Sequence, residues 1–465
     1  MTIWIPRLSG EGPRYRQLMT AIEAAIASGE LRPGDRLPPQ RRLADALGVT
    51  LGTVTRAYGE VEGHGLVEAR VGSGTYVRDK QGKDGLSAPF RHVAEHHDMI
   101  DLSLSLPPPH GERQAGLGRA MAAMQQDPQA LGHAIDYQPE GGLESHRHCF
   151  ARWMQKLGMP VSGEELIINQ GGMNGIFLAL AALLGPGERL AAEALSYPGL
   201  ISAAQQLGVR TVALPVDDEG LDVEALARRC ERQPFRALYV MPDHHNPTTV
   251  KLSEARREAL VALARRHDFW LIEDGVQYLP PAQRGTPLYR LAPERTLLLF
   301  SISKILGGGL RSGVMRVPPA LHGRITTAIR TQSWMPPPLI ADLVCRWIDS
   351  GDADRLLQWQ QQELERRHAL ARELLGEFDF SARPGGFYLW LPLPVGRRAS
   401  ALLEQLARRQ VWITPAEAFC VGSEPAPQAV RICISAARDS ASLELALSRL
   451  REALHHPDPA PWQTL

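Results

Sequence analysis

Lysine is nearly missing from this chain. Of its 51 Lys and Arg residues only five are lysines, at positions 80, 83, 156, 251 and 304. A protein that draws almost all its positive charge from Arg keeps Lys where Arg cannot substitute. A guanidinium is effectively never deprotonated and cannot serve as an amine nucleophile, whereas a desolvated Lys can. Cysteine is equally sparse, with five residues (149, 230, 345, 420 and 433) scattered and none in a C-x-x-C pair. That spacing argues against a disulfide framework or a structural thiolate metal site and fits a reducing compartment. Surplus charge is absent too, 51 basic against 51 acidic residues. No global field draws the chain to nucleic acid or membrane, so any DNA contact must come from a local surface. No apolar run approaches membrane-spanning length, and residues 1–7 lack a basic segment followed by an apolar core. The expected location is cytoplasmic, with no membrane partner.

At 465 residues the chain exceeds what one hydrophobic core organises, so two or three domains are expected. Its centre of interest is Lys304. The apolar run Leu297-Leu298-Leu299-Phe300 reads as a buried strand, followed by Ser301-Ile302-Ser303-Lys304, then Gly307, Gly308, Gly309 and Arg311. For an arbitrary lysine a surface position prevails roughly nine times in ten. The flanking serines, the glycine-rich turn and the nearby arginine lower that prior sharply.

From residue 99 onward short apolar runs alternate with amphipathic helical stretches: Leu166–Ile168, Arg189–Ala192, Ala237–Val240, Trp270–Ile272, Thr296–Phe300 and Gly313–Met315. Runs buried on both faces and separated by helices imply a mostly parallel sheet in an α/β domain, where ligands collect at the carboxyl ends of strands. The noteworthy polar residues fall there. Asn169-Gln170-Gly171-Gly172-Met173-Asn174-Gly175 precedes a helix expected over Ile176–Leu184, and such a turn offers amides to a phosphate. Asp274 closes one strand, and Asn246-Pro247-Thr248 follows another. Taken singly, each has a bland reading as a tight connection or a helix cap.

Residues 1–79 form a different kind of unit. A helix is expected from Pro13 to Ala27, a second from about Gln40 to Leu47 stopped by Gly48, and a third, capped by Thr50, from Leu51 to about Gly63. Helix, glycine turn, helix is the form of a helix-turn-helix, whose second helix offers its N-terminal residues to base edges. Thr50, Thr53 and Arg56 occupy that end, and Arg36, Arg41 and Arg42 precede it as phosphate partners. A two-stranded wing with Gly72 and Gly74 at its tip follows. Residues 1–80 hold 11 Lys/Arg against 9 Asp/Glu, a surplus of 11 − 9 = 2, which is weak for a DNA reader acting alone, and dimerisation would help. Residues 80–98 are polar and glycine-rich and read as a linker; its His96 and His97 are read as solvated rather than as metal ligands.

The text from Gly34 to Val77, with "RLPPQRRLADALGVTLGTVTRAY" and "GSGTYV", strongly resembles the winged helix-turn-helix of GntR-type bacterial transcription regulators. Residues 99–465 are similar to fold-type I, class I aminotransferases, a mostly parallel sheet with a smaller α+β C-terminal subdomain. Head and body together resemble the MocR regulators. The resemblance implies pyridoxal 5'-phosphate bound as an aldimine on Lys304, with Asp274 on the pyridine nitrogen, Asn246 at the ring hydroxyl and Tyr197 stacked on the ring. It implies Gly171, Gly172, Met173, Ser301, Ser303 and Arg311 around the phosphate, Tyr137 reaching the phosphate of a partner subunit, and Arg431 gripping the carboxylate of a substrate or effector. It further implies a homodimer that binds operator DNA and answers to an amino compound or the cofactor itself, in the branch controlling vitamin B6 or amino compounds. One position departs from the family: the usual tyrosine three residues after the aspartate is Gln277, with Tyr278 next. Either Tyr278 reaches in or Gln277 replaces the phenol. The competing expectation is a working aminotransferase that carries a DNA-binding head.

Overall fold

The computed structural model describes residues 4–6, 8, 12–32, 35–63, 66–70, 74–77, 99–422 and 424–457. The expected linker at 80–98 with His96 and His97, and Gly72 of the wing, lie outside the described residues. Two compact units emerge, Met1–His92 and Val93–Leu465.

In the head, Arg14–Ala27 is the first helix, burying Leu18, Ile22 and Ala25 along one stripe. Gln40–Leu47 and Leu51–Gly63 follow. Gly48 between them sits at φ 62°, the left-handed conformation that ends a helix without a Cβ penalty. Thr50 then starts the next helix, its hydroxyl accepting the Thr53 amide at 3.2 Å, as an N-cap does. Val54, Ala57, Tyr58 and Val61 face the small core, and the Tyr58 hydroxyl donates to the Pro38 carbonyl at 2.8 Å. Strands Val67–Arg70 and Gly74–Val77 pair antiparallel as the wing.

The body is built on a seven-stranded sheet. Its spatial order is Leu166–Asn169, Gly313–Arg316, Thr296–Ser301, Trp270–Asp274, Ala237–Val240, Arg189–Glu193 and Arg210–Leu214. Only Gly313–Arg316 runs against its neighbours. All six residues of Thr296–Ser301 are buried, and burying each large aliphatic side chain of such a strand is worth about 1.5–3 kcal/mol. The strand Arg210–Leu214 went unexpected; it is an edge strand with exposed Arg210 and half-buried Thr211, too polar to stand out as an apolar run. The helix expected over 176–184 begins earlier, as Gly172–Leu183. Its first turn lies so close to the sheet that a Cβ on Gly175 would come within 3.3 Å of Leu299.

A smaller C-terminal lobe carries a four-stranded antiparallel sheet, ordered Ser381–Ala382, Leu389–Pro392, Ala429–Ile432, Thr414–Pro415. Ile100–Asp101 returns to it, pairing in parallel with Val411–Trp412. The chain after that short strand, residues 102–108, therefore passes from the lobe toward the carboxyl ends of the central strands. Among the described residues, no helix is long and apolar enough to cross a membrane.

Candidate functional site

Lys304 stands at the end of a short 3-10 turn, Ile302–Lys304, directly after the buried strand Thr296–Ser301. The Ser301 hydroxyl accepts the Ser303 amide at 3.2 Å and thereby starts that turn. From the long helix Asp352–Leu375, Gln360 donates to the Lys304 carbonyl at 2.9 Å. The Lys304 Nζ donates to the carbonyl of Ser105. Burial lowers the amine from its ordinary 10.5 to about 8, the charges of Arg431 and Arg311 adding to burial and those of Cys433 and Asp274 opposing it. A desolvated amine of this kind has a far larger free-base fraction near neutrality than a surface lysine.

Asp274 ends the strand Trp270–Asp274 beside it. Its Oδ1 accepts the Val276 amide at 2.8 Å and its Oδ2 accepts the Tyr239 hydroxyl. Burial pushes its carboxyl up, while Tyr239, Val276 and the Lys304 charge pull the other way. Asn246, which precedes a cis peptide to Pro247, accepts the Arg431 Nη1 at 2.8 Å on its Oδ1. Arg431 Nη2 donates to the Ser103 carbonyl at 2.6 Å. The guanidinium sits 4.7 Å from the Phe419 ring centroid and 5.4 Å from that of Tyr388, aromatic faces that orient a cation. Its Nε is buried without a partner among the described residues.

The glycine turn meets the same site. Gly171 lies at φ 89° and caps the helix Gly172–Leu183. A Cβ on it would come within 2.9 Å of the Arg311 guanidinium, and one on Gly172 within 2.9 Å of Val276. The missing Cβ atoms thus let Arg311 close over first-turn amides that have no partner inside the helix. Arg311 Nη2 donates to the Gln170 carbonyl at 3.1 Å. Ser301 and Ser303 share a hydroxyl contact of 2.9 Å, and Ser301 also reaches the Ser312 carbonyl. Met173 lies next to this turn, against Gly199, where an added Cβ would meet its sulfur and the Tyr197 ring. Tyr197 caps the helix Pro198–Gln206, and burial pushes its phenol up, with the Asp274 charge adding.

The two alternatives at the departure from the family border one cavity beside Asp274 but take different partners. Gln277 Nε2 donates to Ser105 Oγ at 3.2 Å, on the residue whose carbonyl holds the lysine. Tyr278 instead packs into a core cluster with the Arg284 guanidinium 5.2 Å over its ring. Tyr137 is not drawn into the Lys304 cluster. It is 81% exposed, with its ring 5.8 Å from that of Trp334.

Several groups of this site escape a reading of the sequence. Ser103 and Ser105 act through backbone carbonyls, which no side-chain pattern reports. Gln360 arrives from a helix whose face cannot be assigned before the lobes are packed. Tyr239 carried a signal: a phenol inside a fully buried strand needs a hydrogen-bond partner.

In the head, Arg36, Arg41, Arg42, Thr50 and Arg56 are all exposed and Thr53 is half-buried. Arg56 lies with its guanidinium carbon 3.9 Å from the Tyr15 ring centroid, so the helix Arg14–Ala27 holds it in place. Arg36 lies 6.0 Å from the Tyr76 ring. The Thr50 and Thr53 hydroxyls contact each other at 2.9 Å. Exposed Thr55, overlooked in the sequence, donates to Gln40 at 2.7 Å and ties the two helices of the motif. Gly74 opens the second wing strand.

Comparison with known proteins divides the chain in the same places. The pattern of the family "Aminotransferase class I and II" matches residues 98–450, and that of "Bacterial regulatory proteins, gntR family" matches residues 14–77. The chain is 30% identical to YdeF of Bacillus subtilis, an uncharacterized HTH-type transcriptional regulator, over 97% of this chain and 96% of that one. It is also 30% identical to the vitamin B6 salvage pathway transcriptional repressor PtsJ of Salmonella typhimurium, covering 92% and 96% respectively. Among solved structures, the kynurenine aminotransferase of Pyrococcus horikoshii superposes with a TM-score of 0.71 at 23% identity, covering 82% of this chain and 95% of that one. At that identity the likeness is one of fold.

Proposed function

This chain belongs to the MocR-type transcription regulators, a GntR-family head on an aminotransferase class I and II body, and from that premise we propose that the body binds pyridoxal 5'-phosphate on Lys304 and reports its occupancy to the DNA-binding head. The observation that carries this reading is the desolvated amine of Lys304, placed with Asp274, Arg431 and Arg311 at one end of the sheet. The residues fit the cofactor. Gly171 and Gly172 leave a cradle that a Cβ would fill, Arg311 lies over it, and the Arg431 Nε is a buried donor without a partner among the described residues.

When bound, the cofactor supplies an aldehyde that condenses with amines and a ring that withdraws electrons. Lys304 is the attachment point. Asp274 would pair with the ring nitrogen, Asn246 with the ring hydroxyl, and Tyr197 would face the ring. Arg311, Ser301, Ser303 and the turn at Gly171, Gly172 and Met173 would hold the phosphate. Arg431 would receive the carboxylate of an amino compound acting as effector. Gln277 offers an amide where the family's enzymes carry a phenol, which favours sensing over rapid turnover.

The working assembly is a homodimer in the cytoplasm. Tyr137 and Trp334, each more than half exposed and with rings 5.8 Å apart, form an exposed aromatic face of the kind that marks an interaction surface. Tyr137 on that face would reach the phosphate held by the other subunit. In the head, Thr50, Thr53 and Arg56 present the helix end that reads bases, while Arg36, Arg41 and Arg42 position the phosphate backbone. PtsJ is, as its name says, a repressor of a vitamin B6 salvage pathway, and a signal of that class, the cofactor or a related amino compound, is the one proposed here.

The gathering of Lys304, Asp274 and Arg431 also favours a second reading, a slow half-transamination by the same site. One set of measurements tests both. Purified protein is mixed with pyridoxal 5'-phosphate, reduced with borohydride and mapped by mass spectrometry, while binding to its own upstream DNA is followed with and without cofactor. Label on Lys304 and a cofactor-dependent change in DNA affinity are expected. A colourless protein with Lys304 unlabelled would end both readings, and rapid conversion of the bound cofactor to its amine form by an amino acid would make the chain an enzyme first.

A further inference from the structure

Tyr239 has a function that neither its position in a buried strand nor its family resemblance assigns. It lies in Ala237–Val240, fully buried, in register with Ile272 of the strand that ends in Asp274. Its hydroxyl donates to Asp274 Oδ2, while the Val276 amide takes Oδ1. Both donors stabilise the ionised carboxylate against the burial that favours its neutral form. Burial and the Asp274 charge push the Tyr239 phenol well above its ordinary range, so it stays a donor across the working pH.

The other titratable groups facing Asp274 do not compete for this role. Lys304 contributes a charge that Schiff-base formation alters. Glu193, raised to about 8 mainly by burial, is uncharged near neutrality. Tyr197 and Tyr388 are likewise held neutral by burial.

We propose that Tyr239 is a positioning residue that keeps Asp274 ionised, so that a proton shared between Asp274 and a pyridine ring nitrogen rests on the ring. A hydrogen bond that favours the carboxylate lowers its proton affinity. The ring then carries the proton and draws electrons more strongly, and its bond to Lys304 is tuned through Tyr239 without any contact between Tyr239 and the ring. This inference rests on the reading of Lys304 as the attachment point for pyridoxal 5'-phosphate.

The test uses the full chain loaded with cofactor labelled with 15N at the ring nitrogen. In Tyr239→Phe the ring-nitrogen resonance moves toward that of unprotonated pyridine. The pH midpoint of the Lys304-bound cofactor's absorbance rises, by less than the about one to two units that a hydrogen bond to a charged group is worth on the proton affinity of Asp274 itself. Site-specific 3-fluorotyrosine at position 239, a stronger donor of nearly the same shape, moves both readouts the other way. That variant keeps the test alive if Tyr239→Phe fails to fold. Borohydride labelling at Lys304 with both readouts unmoved in the fluorinated protein overturns the role of Tyr239. Absence of labelling in the unmodified protein overturns the cofactor reading instead.

Discussion

Replacing Lys304 with Met should make the cofactor-free body more stable, although it destroys the proposed attachment point. Burial lowers the Lys304 amine from 10.5 to about 8. Near neutrality the folded body therefore holds an ammonium whose proton the unfolded chain binds more tightly. A depression of 10.5 − 8 = 2.5 units corresponds to about 3 kcal/mol, taken as a ceiling. Methionine has a similar length and no charge to desolvate, and what it forfeits is the charged hydrogen bond to the Ser105 carbonyl, worth about 1.5 kcal/mol at the low end for an ionised donor. A net gain of about 1–2 kcal/mol is expected near pH 7. The sign with pH follows from linkage. Below the folded value of about 8 both states carry the proton and the full penalty applies; between about 8 and 10.5 only the unfolded chain keeps it, so the wild type recovers stability as pH rises. The advantage of Lys304→Met should fade across that window. Urea unfolding of the cofactor-free full chain at pH 7 and pH 10, following the body's transition, measures it. A variant less stable than the wild type at pH 7, or an advantage that grows toward pH 10, would refute the desolvated-amine account.

Three further outcomes follow from the same geometry. Arg431→Lys keeps the charge but loses the fork that holds Asn246 and Ser103; affinity for an amino carboxylate should fall about 100-fold, a loss of roughly 2–3 kcal/mol for a buried charged pair, with the cofactor's absorbance unchanged. Equal loss of cofactor binding would make Arg431 a structural residue. Gly171→Ala places a Cβ 2.9 Å from Arg311 at a φ of 89°, so pyridoxal 5'-phosphate should bind at least about 10-fold more weakly, while pyridoxal lacking the phosphate is little affected; an identical effect on both ligands counts against a phosphate cradle. Arg42→Ala, on the exposed face of the head, should weaken binding to all DNA sequences alike and reduce the slope of log affinity against log salt by about one; an unchanged slope removes it from the phosphate contacts.

Much of the body was legible because its strands are short apolar runs bounded by polar turns, and Lys304, Asp274, Asn246 and Gly171 stand at strand ends where the local pattern changes. The edge strand at 210–214 was not, since an edge residue such as Arg210 is solvated and carries little apolar signal. The choice between Gln277 and Tyr278 was equally closed to inspection: neighbours in a turn point to different surroundings, and only packing sent Tyr278 to Arg284 and Gln277 to Ser105. Arg56 was placed on the reading helix from spacing, but its stack on Tyr15 depends on how the first helix crosses the third.

Residue chemistry and local periodicity determined, without coordinates, that a rare lysine follows a buried strand, that glycines open the turn at 171–172, and that a helix-turn-helix precedes an α/β body. Those are short-range properties, set by side-chain volume, backbone freedom and the spacing of apolar residues along one segment. The tertiary structure alone decided that the carbonyls of Ser103 and Ser105 meet Arg431 and Lys304 and that the Tyr239 hydroxyl meets Asp274. Partners about 200 and 330 positions apart, and a hydrogen bond between parallel strands, exist only once separate segments are packed, because burial forces each desolvated polar group to find a donor or acceptor wherever the fold supplies one.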